Sequence, residues 1–263
     1  MLALKALWAY RGFIGASVRR EFQARYRNAV LGPLWAVINP LAMITVYTVI
    51  FSEVMQARLP LVRTPYAYSI FVCAGLLAWG LFSEVCVRAQ ACFVDNAGVL
   101  KKISFPRLCL PVVVVLNALL NFFIIFGIFT AFLILIGQFP GWVYVAVVPL
   151  LVLLVLLAVG LGVSLGVLHV FFRDVGQVFG IVLQFWFWLT PIVYPLSALP
   201  AGARGAMGYN PMCALITGFQ AVLQQQVWPD WSSLFYPLAI AVALCWAGLR
   251  MFRHLADEMV DAL

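Results

Sequence analysis

Side chains able to do acid, base or nucleophilic chemistry are few in this sequence. Glu84 lies inside a long apolar run, and Arg88 follows four residues later, the order that favours an ion pair on one helix face. Such a pair braces a helix, whereas an ion-coupled carrier needs buried carboxylates or arginines along its path. His169 and His254 are too few and too far apart to hold a metal, and His169, close to Arg173, reads as interfacial. The 6 cysteines (Cys73, Cys86, Cys92, Cys109, Cys213, Cys245) form no C-x-x-C pair and read as small apolar filling. There is no G-x-x-x-x-G-K-[ST] and no Gly-Lys pair, so phosphates of a nucleotide find no cradle here. No acid, base and nucleophile converge, which disfavours a membrane-embedded glycan-modifying enzyme, and no cofactor is expected in the chain.

Weak, repeated contact is a different kind of chemistry, and aromatics supply it. The sequence holds 21 Phe, 9 Trp and 9 Tyr, with the run Gln184-Phe185-Trp186-Phe187-Trp188, then Thr190 and Tyr194. Sugars stack C–H faces on such rings, much as bases stack on aromatics with little sequence preference. The other reading is an interfacial aromatic belt, which suits Trp35, Trp79, Trp142, Trp228 and Trp231 and leaves Trp186 and Trp188 open. Gln184 and Trp188 share a helical face that Trp186 does not, so Gln184, Trp188, Thr190 and Tyr194 are the candidates to line a path. Asn39, ahead of Pro40, joins them, because a proline kink frees a backbone carbonyl.

These residues must be positioned by membrane helices. The 263-residue chain is 65% hydrophobic and 10% charged, against roughly 45–50% apolar and about 25% charged in soluble domains. Its mean hydropathy is +1.06. Six apolar segments, at about 34–55, 67–89, 108–136, 143–170, 177–193 and 231–252, predict an all-α polytopic membrane protein with six spans. The stretch 194–230 carries Pro195, Pro200, Pro211 and Pro229 and reads as a re-entrant hairpin. Six spans put both termini on one side. Placing them in the cytoplasm gathers Lys5, Arg11, Arg19, Arg20, Arg25, Arg27, Arg88, Lys101, Lys102, Arg107, Arg173, Arg250 and Arg253 inside, against Arg58, Arg63 and Arg204 outside. The +7 charge is therefore a topology signal, and it needs no nucleic-acid partner.

The start MLALKALWAY lacks a cleavable apolar core before Arg11, so the first span is expected to stay. Leu4, Leu7, Trp8, Ile14, Val18, Phe22 and Tyr26 fall on one helical sector, which predicts a surface helix on the headgroups. Its arginines either anchor topology or also dock a cytoplasmic partner. The segment 95–111 favours docking. Asp95 could cap a short helix through Lys102, with Val99, Leu100 and Ile103 as an apolar knob beside Lys101 and Lys102. Thr64-Pro65, Asp174 with Gln177, and Asp230 are further candidate helix starts. Small residues at Ala158, Gly162 and Gly166 predict close helix contact, and Asn117 and Asn121 predict hydrogen bonds between helices.

RYRNAVLGPLWAVINPL (25–41), VLKKISFPRLCLP (99–111), FFRDVGQ (171–177), TPIVYPLSALP (190–200) and YNPM (209–212) stand in one order. Together they resemble the membrane permease of bacterial type-2 ABC exporters, in the branch that exports O-antigen and related cell-surface polysaccharides. The resemblance covers nearly the whole chain as one permease domain, 1–263. It implies a homodimer in the bacterial inner membrane, paired with a separate cytoplasmic ABC ATPase that holds ATP and Mg. It implies that 4–27 is an interface helix, 95–105 a coupling helix, and 194–230 a periplasmic gate. By it Arg19, Arg20, Arg25, Val99, Leu100, Lys101, Lys102 and Ile103 meet the ATPase, and a lipid-linked polysaccharide passes between two copies. Export of teichoic acid or another amphiphile by the same machinery is the alternative. A non-transporting scaffold would leave the proline-rich segment unexplained.

Overall fold

The computed structural model describes residues 8–26, 34–49, 66–98, 107–256 and 258–262. Among the described residues the fold is helical, with no strand. Helices α1 (Arg11–Tyr26), α2 (Trp35–Thr48), α3 (Ala67–Asp95) and α4 (Cys109–Leu135) come first. A 3-10 segment, Gly141–Ala146, leads into α5 (Val147–Phe171), and α6 (Val175–Trp188) follows a short turn. Beyond a 3-10 turn at Leu196–Ala198 lie α7 (Ala201–Met207) and α8 (Pro211–Gln220), the latter running into a π segment, Ala221–Gln225. The chain ends in α9 (Phe235–Leu255) and α10 (Glu258–Ala262).

Four of these elements are long and apolar enough to cross a membrane: Ala67–Asp95, Cys109–Leu135, Gly141–Phe171 and Phe235–Leu255. The protein is thus a multi-pass membrane protein. Helix α6, with 14 residues, rises about 21 Å, short of a hydrocarbon core of about 30 Å. The expected first span is described only from 34 to 49, where α2 continues through Asn39 and Pro40.

Helix α5 is the centre of the packing. Its Ala158, Gly162 and Gly166 stripe lies on α3, where a methyl added at Gly162 would sit 2.7 Å from Ala89 Cβ. A methyl at Gly166 would come within 2.8 Å of the Ala89 carbonyl oxygen. Residue 160 lies about 200° around the helix from 162. There a methyl on Gly160 would meet the Cys245 amide of α9 at 2.7 Å, and one on Gly248 would meet Ser164 Oγ at 2.8 Å. Small residues on two faces let α3 and α9 clasp α5 from both sides, so close backbone approach takes the place of bulky knobs. Helix α4 ends where Gly137 takes the left-handed conformation, φ 70°. Its amide and that of Gln138 then bond back to Ile134 and Leu133, which satisfies the last carbonyls.

The structure corrects several local expectations. Asp95 is the last residue of α3, and Asn96 closes that end by donating from Nδ2 to the Cys92 carbonyl at 2.8 Å; helical geometry resumes at 97–98, within the expected 95–105 helix. A helix does not stop where its apolar run stops, because polar residues beyond the lipid continue the same hydrogen-bond ladder. Asp174 precedes α6 but makes no capping bond. Asp230 accepts from the Ser232 amide and hydroxyl, one turn ahead of α9. Those bonds, the hydroxyl first, hold its carboxyl below the usual aspartate range. Finally, protein covers the middle of the α1 stripe. Ile14 is buried, and Phe13 and Val18 pack with it on Cys109, Val112 and Val113 of α4, while Trp8 stays 71% exposed. Thr64 and Pro65 lie outside the described residues.

Candidate functional site

Two constellations gather the residues with functional potential. The first lies past the end of α6, where TPIVYP leaves helical geometry. Backbone that is not helical has polar groups to satisfy, and here side chains from several elements do so. Thr190 Oγ1 donates to the Trp186 carbonyl at 2.7 Å. Gln220 Nε2, from α8, donates to the carbonyls of Pro191 and Ile192 at 3.1 and 3.4 Å. Tyr68, from α3, donates to Val193, and the Tyr194 hydroxyl donates to Trp188 at 2.8 Å. Gly75 of α3 makes room: a methyl there would lie 3.1 Å from both Gln220 Nε2 and Ile192 Cγ2.

Asn210 is the hub of this region. Its Oδ1 accepts from the Trp186 indole at 2.8 Å and from the Met212 amide at 3.0 Å. Its Nδ2 donates to the Leu189 carbonyl at 3.1 Å and to Thr190 Oγ1 at 3.0 Å. One carboxamide therefore caps α8, with Pro211 at its first position, and ties α8 to the end of α6. Helix α8 is in turn anchored in the core through Met212, Leu215, Ile216 and Phe219.

The faces of α6 divide cleanly. Trp186 is turned inward, edge-on to Trp79 and Phe82 of α3 at centroid distances of 6.1 and 5.3 Å. Gln184 is exposed, as are Ile181, Phe185 and Trp188, the last at 60%. Thr190 is completely buried, and its hydroxyl is engaged within the chain, so in this conformation it positions backbone and presents no surface to cargo. Tyr194 is half-buried. The side chain of Asn39 lies outside the described residues.

The second constellation joins α1, α3 and α4. Arg88 bonds Glu84 one turn earlier, at 3.4 Å, and also bonds Glu21 of α1. Asn117 Nδ2 donates to Glu21 Oε2 at 2.6 Å, and Asn121 Nδ2 donates to Glu84 Oε2 at 3.0 Å. The asparagines do bond between helices, and the Glu84–Arg88 pair is part of a larger network. A cavity of about 750 Å³ opens beside it, lined among others by Phe13, Arg20, Glu21, Arg88, Asp95 and Leu110. Arg19 and Arg20 are exposed on α1. Arg25 is helical there, but its side chain is outside the described residues, as are Val99, Leu100, Lys101, Lys102 and Ile103. Among the described residues no group of His, Cys, Asp or Glu is arranged to hold a metal.

Sequence reasoning missed Glu21, Asn210, Gln220 and Tyr68. Asn210 carried a signal, since an asparagine directly before a proline is a helix-start pattern. The others are joined to their partners only by tertiary contact.

Comparison with known proteins places the chain in a family. The model of the ABC-2 type transporter family matches residues 13–223. The chain is 33% identical to the O-antigen export system permease protein RfbA of Myxococcus xanthus, over 99% of this chain and 98% of that protein. It is 27% identical to the RfbA permease of Klebsiella pneumoniae, over 93% of this chain and 92% of the other. It is also 22% identical to the polysialic acid transport protein KpsM of Escherichia coli, over 92% and 93%. The long apolar helices, the irregular segment after α6 and the match over most of the chain lead to one conclusion: this protein belongs to the ABC-2 type transporter family, as its membrane permease.

Proposed function

We propose that this permease moves lipid-linked cell-surface polysaccharide of the O-antigen type across the bacterial inner membrane, driven by ATP hydrolysis on a separate ABC ATPase. The observation that carries this reading is the similarity to permeases named for O-antigen export along essentially the full length of both chains. In this reading two copies enclose the channel, each with six spans and both termini in the cytoplasm. Residues 4–27 form the interface helix, with Arg19, Arg20 and Arg25 on it, and 95–105 the coupling helix, with Val99, Leu100, Lys101, Lys102 and Ile103. ATP and Mg belong to the partner.

The segment 194–230 acts as the periplasmic gate. Two observations support it. Helix α6 is too short to cross alone, and the irregular backbone after it has its carbonyls paired by protein side chains, which is the condition for such backbone inside a membrane. The Gln184–Trp188 face of α6 lines the path, with Asn39 on the first span. Its exposure, against the inward packing of Trp186, supports that choice. Aromatic faces give many weak contacts, and a sliding chain needs those rather than a tight pocket.

Deletion of the gene in its native host tests the reading. Lipid-linked glycan should accumulate on the cytoplasmic face while its synthesis continues, and the chain supplied on a plasmid should return it to the surface. Accumulation of teichoic acid or another amphiphile instead would shift the cargo within the same mechanism. Unchanged surface glycan would contradict it.

A further inference from the structure

We infer that Glu21 is a positioning residue: it fixes α1 to α3 and α4 so that the three helices move as one body when the ATPase acts. The inference rests on the reading that α1 meets the ATPase. It deepens that reading by naming the joint through which force enters the spans.

Helix α1 meets its neighbours both through an apolar face and through Glu21. Its apolar face lies on Cys109, Val112 and Val113 of α4. Apolar contact of this kind is non-directional, and by itself it lets a helix slide or roll. Glu21 supplies direction. One carboxylate oxygen accepts from Arg88 of α3, and the other accepts from Asn117 of α4 at 2.6 Å. With each oxygen taken by a donor from a different helix, α1 can neither rotate nor advance without breaking a charge-assisted bond.

The network continues inward. Arg88 also reaches Glu84 at 3.4 Å, and Glu84 is held by Asn121 at 3.0 Å. The side chains of Arg88 and Glu84 are only 27% and 19% exposed. Glu21 itself is 45% exposed, so its bond to Arg88 supplies direction more than stability, but pulling it away would still leave a partly buried guanidinium with one carboxylate fewer. Moving α3 and α4 together with α1 leaves the contacts intact, so it is the easier path. A cavity of about 330 Å³ lined by Glu21, Phe22, Ala24, Glu84, Arg88 and Asn117 adjoins the joint. The network is thus an edge contact beside open space, where the polar bonds set the register of α1.

The test uses the purified permease–ATPase complex in proteoliposomes, with lipid-linked glycan as cargo. In Glu21→Gln the ATPase should remain bound and hydrolysis should continue, while glycan exported per ATP falls several-fold. In Glu21→Cys/Asn117→Cys a short bifunctional thiol reagent should restore the tie. The cross-linked form should therefore export more per ATP than the uncross-linked form. Parental export per ATP in Glu21→Gln would overturn the proposal. So would arrest of export by the cross-link, because the contact would then have to open during the cycle. A defect confined to the amount of complex, with export per complex unchanged, would reduce Glu21 to a structural brace and overturn it too. A parent permease that holds no ATPase would instead contradict the reading beneath it, before any variant is made.

Discussion

Asn210 spends its whole hydrogen-bonding capacity inside the chain, on Trp186, Met212, Leu189 and Thr190. Alanine there removes the cap of α8 and leaves an indole N–H and a hydroxyl short of partners. The expected loss is about 2–4 kcal/mol, the sum of a lost cap and unsatisfied polar groups. It should appear as a lower Tm in detergent; an unchanged Tm would mean that these bonds are replaced at no cost. The sequence made half of this legible. Asn-Pro before an apolar run announces a helix start, but nothing in it shows that the same carboxamide reaches back to the end of α6. Glu21 is the harder case. Its partners Arg88 and Asn117 lie 67 and 96 residues away, and only the packing of α1 on α4 brings them together.

At the scale of elements, α5 is the most sensitive helix and α6 the most informative. Gly162→Val would press a branched side chain into Ala89 and Cys86 of α3 and should cost about 1–3 kcal/mol or more by overpacking. Gly127→Ala is the control, since nothing lies within 4 Å of its added methyl. Thermal unfolding of the two variants checks the difference; equal melting temperatures would contradict the clasp of α3, α5 and α9. On α6 the two tryptophans separate packing from transport. Trp186→Ala empties an aromatic cluster and drops the bond to Asn210, so it should lower expression and Tm. Trp188→Ala should leave both nearly unchanged and reduce export. Cargo protection of position 186 but not 188, in single-cysteine labelling, would reverse that assignment.

The long helices were legible because an apolar run of about 20 residues has few other uses. Their ends were not, since α3 runs on to Asp95 after its apolar stretch has finished. The small-residue stripe at 158, 162 and 166 was legible as a close contact, yet its partner was not, and the second stripe through Gly160 and Ser164 went unread.

For the whole molecule, the central issue is how a chain with no nucleotide site is driven. If 95–105 is the coupling helix, as proposed, Leu100→Asp with Ile103→Asp should put charge into an apolar contact and weaken docking of the ATPase by several kcal/mol. The permease should still insert, because no candidate span is touched. Co-purification of the ATPase reads this directly, and undiminished recovery would move the coupling contact elsewhere. Reconstitution tests the account as a whole. The permease and its ATPase are placed together in proteoliposomes, and lipid-linked polysaccharide reaching the far leaflet is counted as ATP is hydrolysed. Translocation should require both proteins and should stop with a non-hydrolysable ATP analogue. A complex that hydrolyses ATP and moves no polysaccharide, or a permease that moves it alone, would contradict the account.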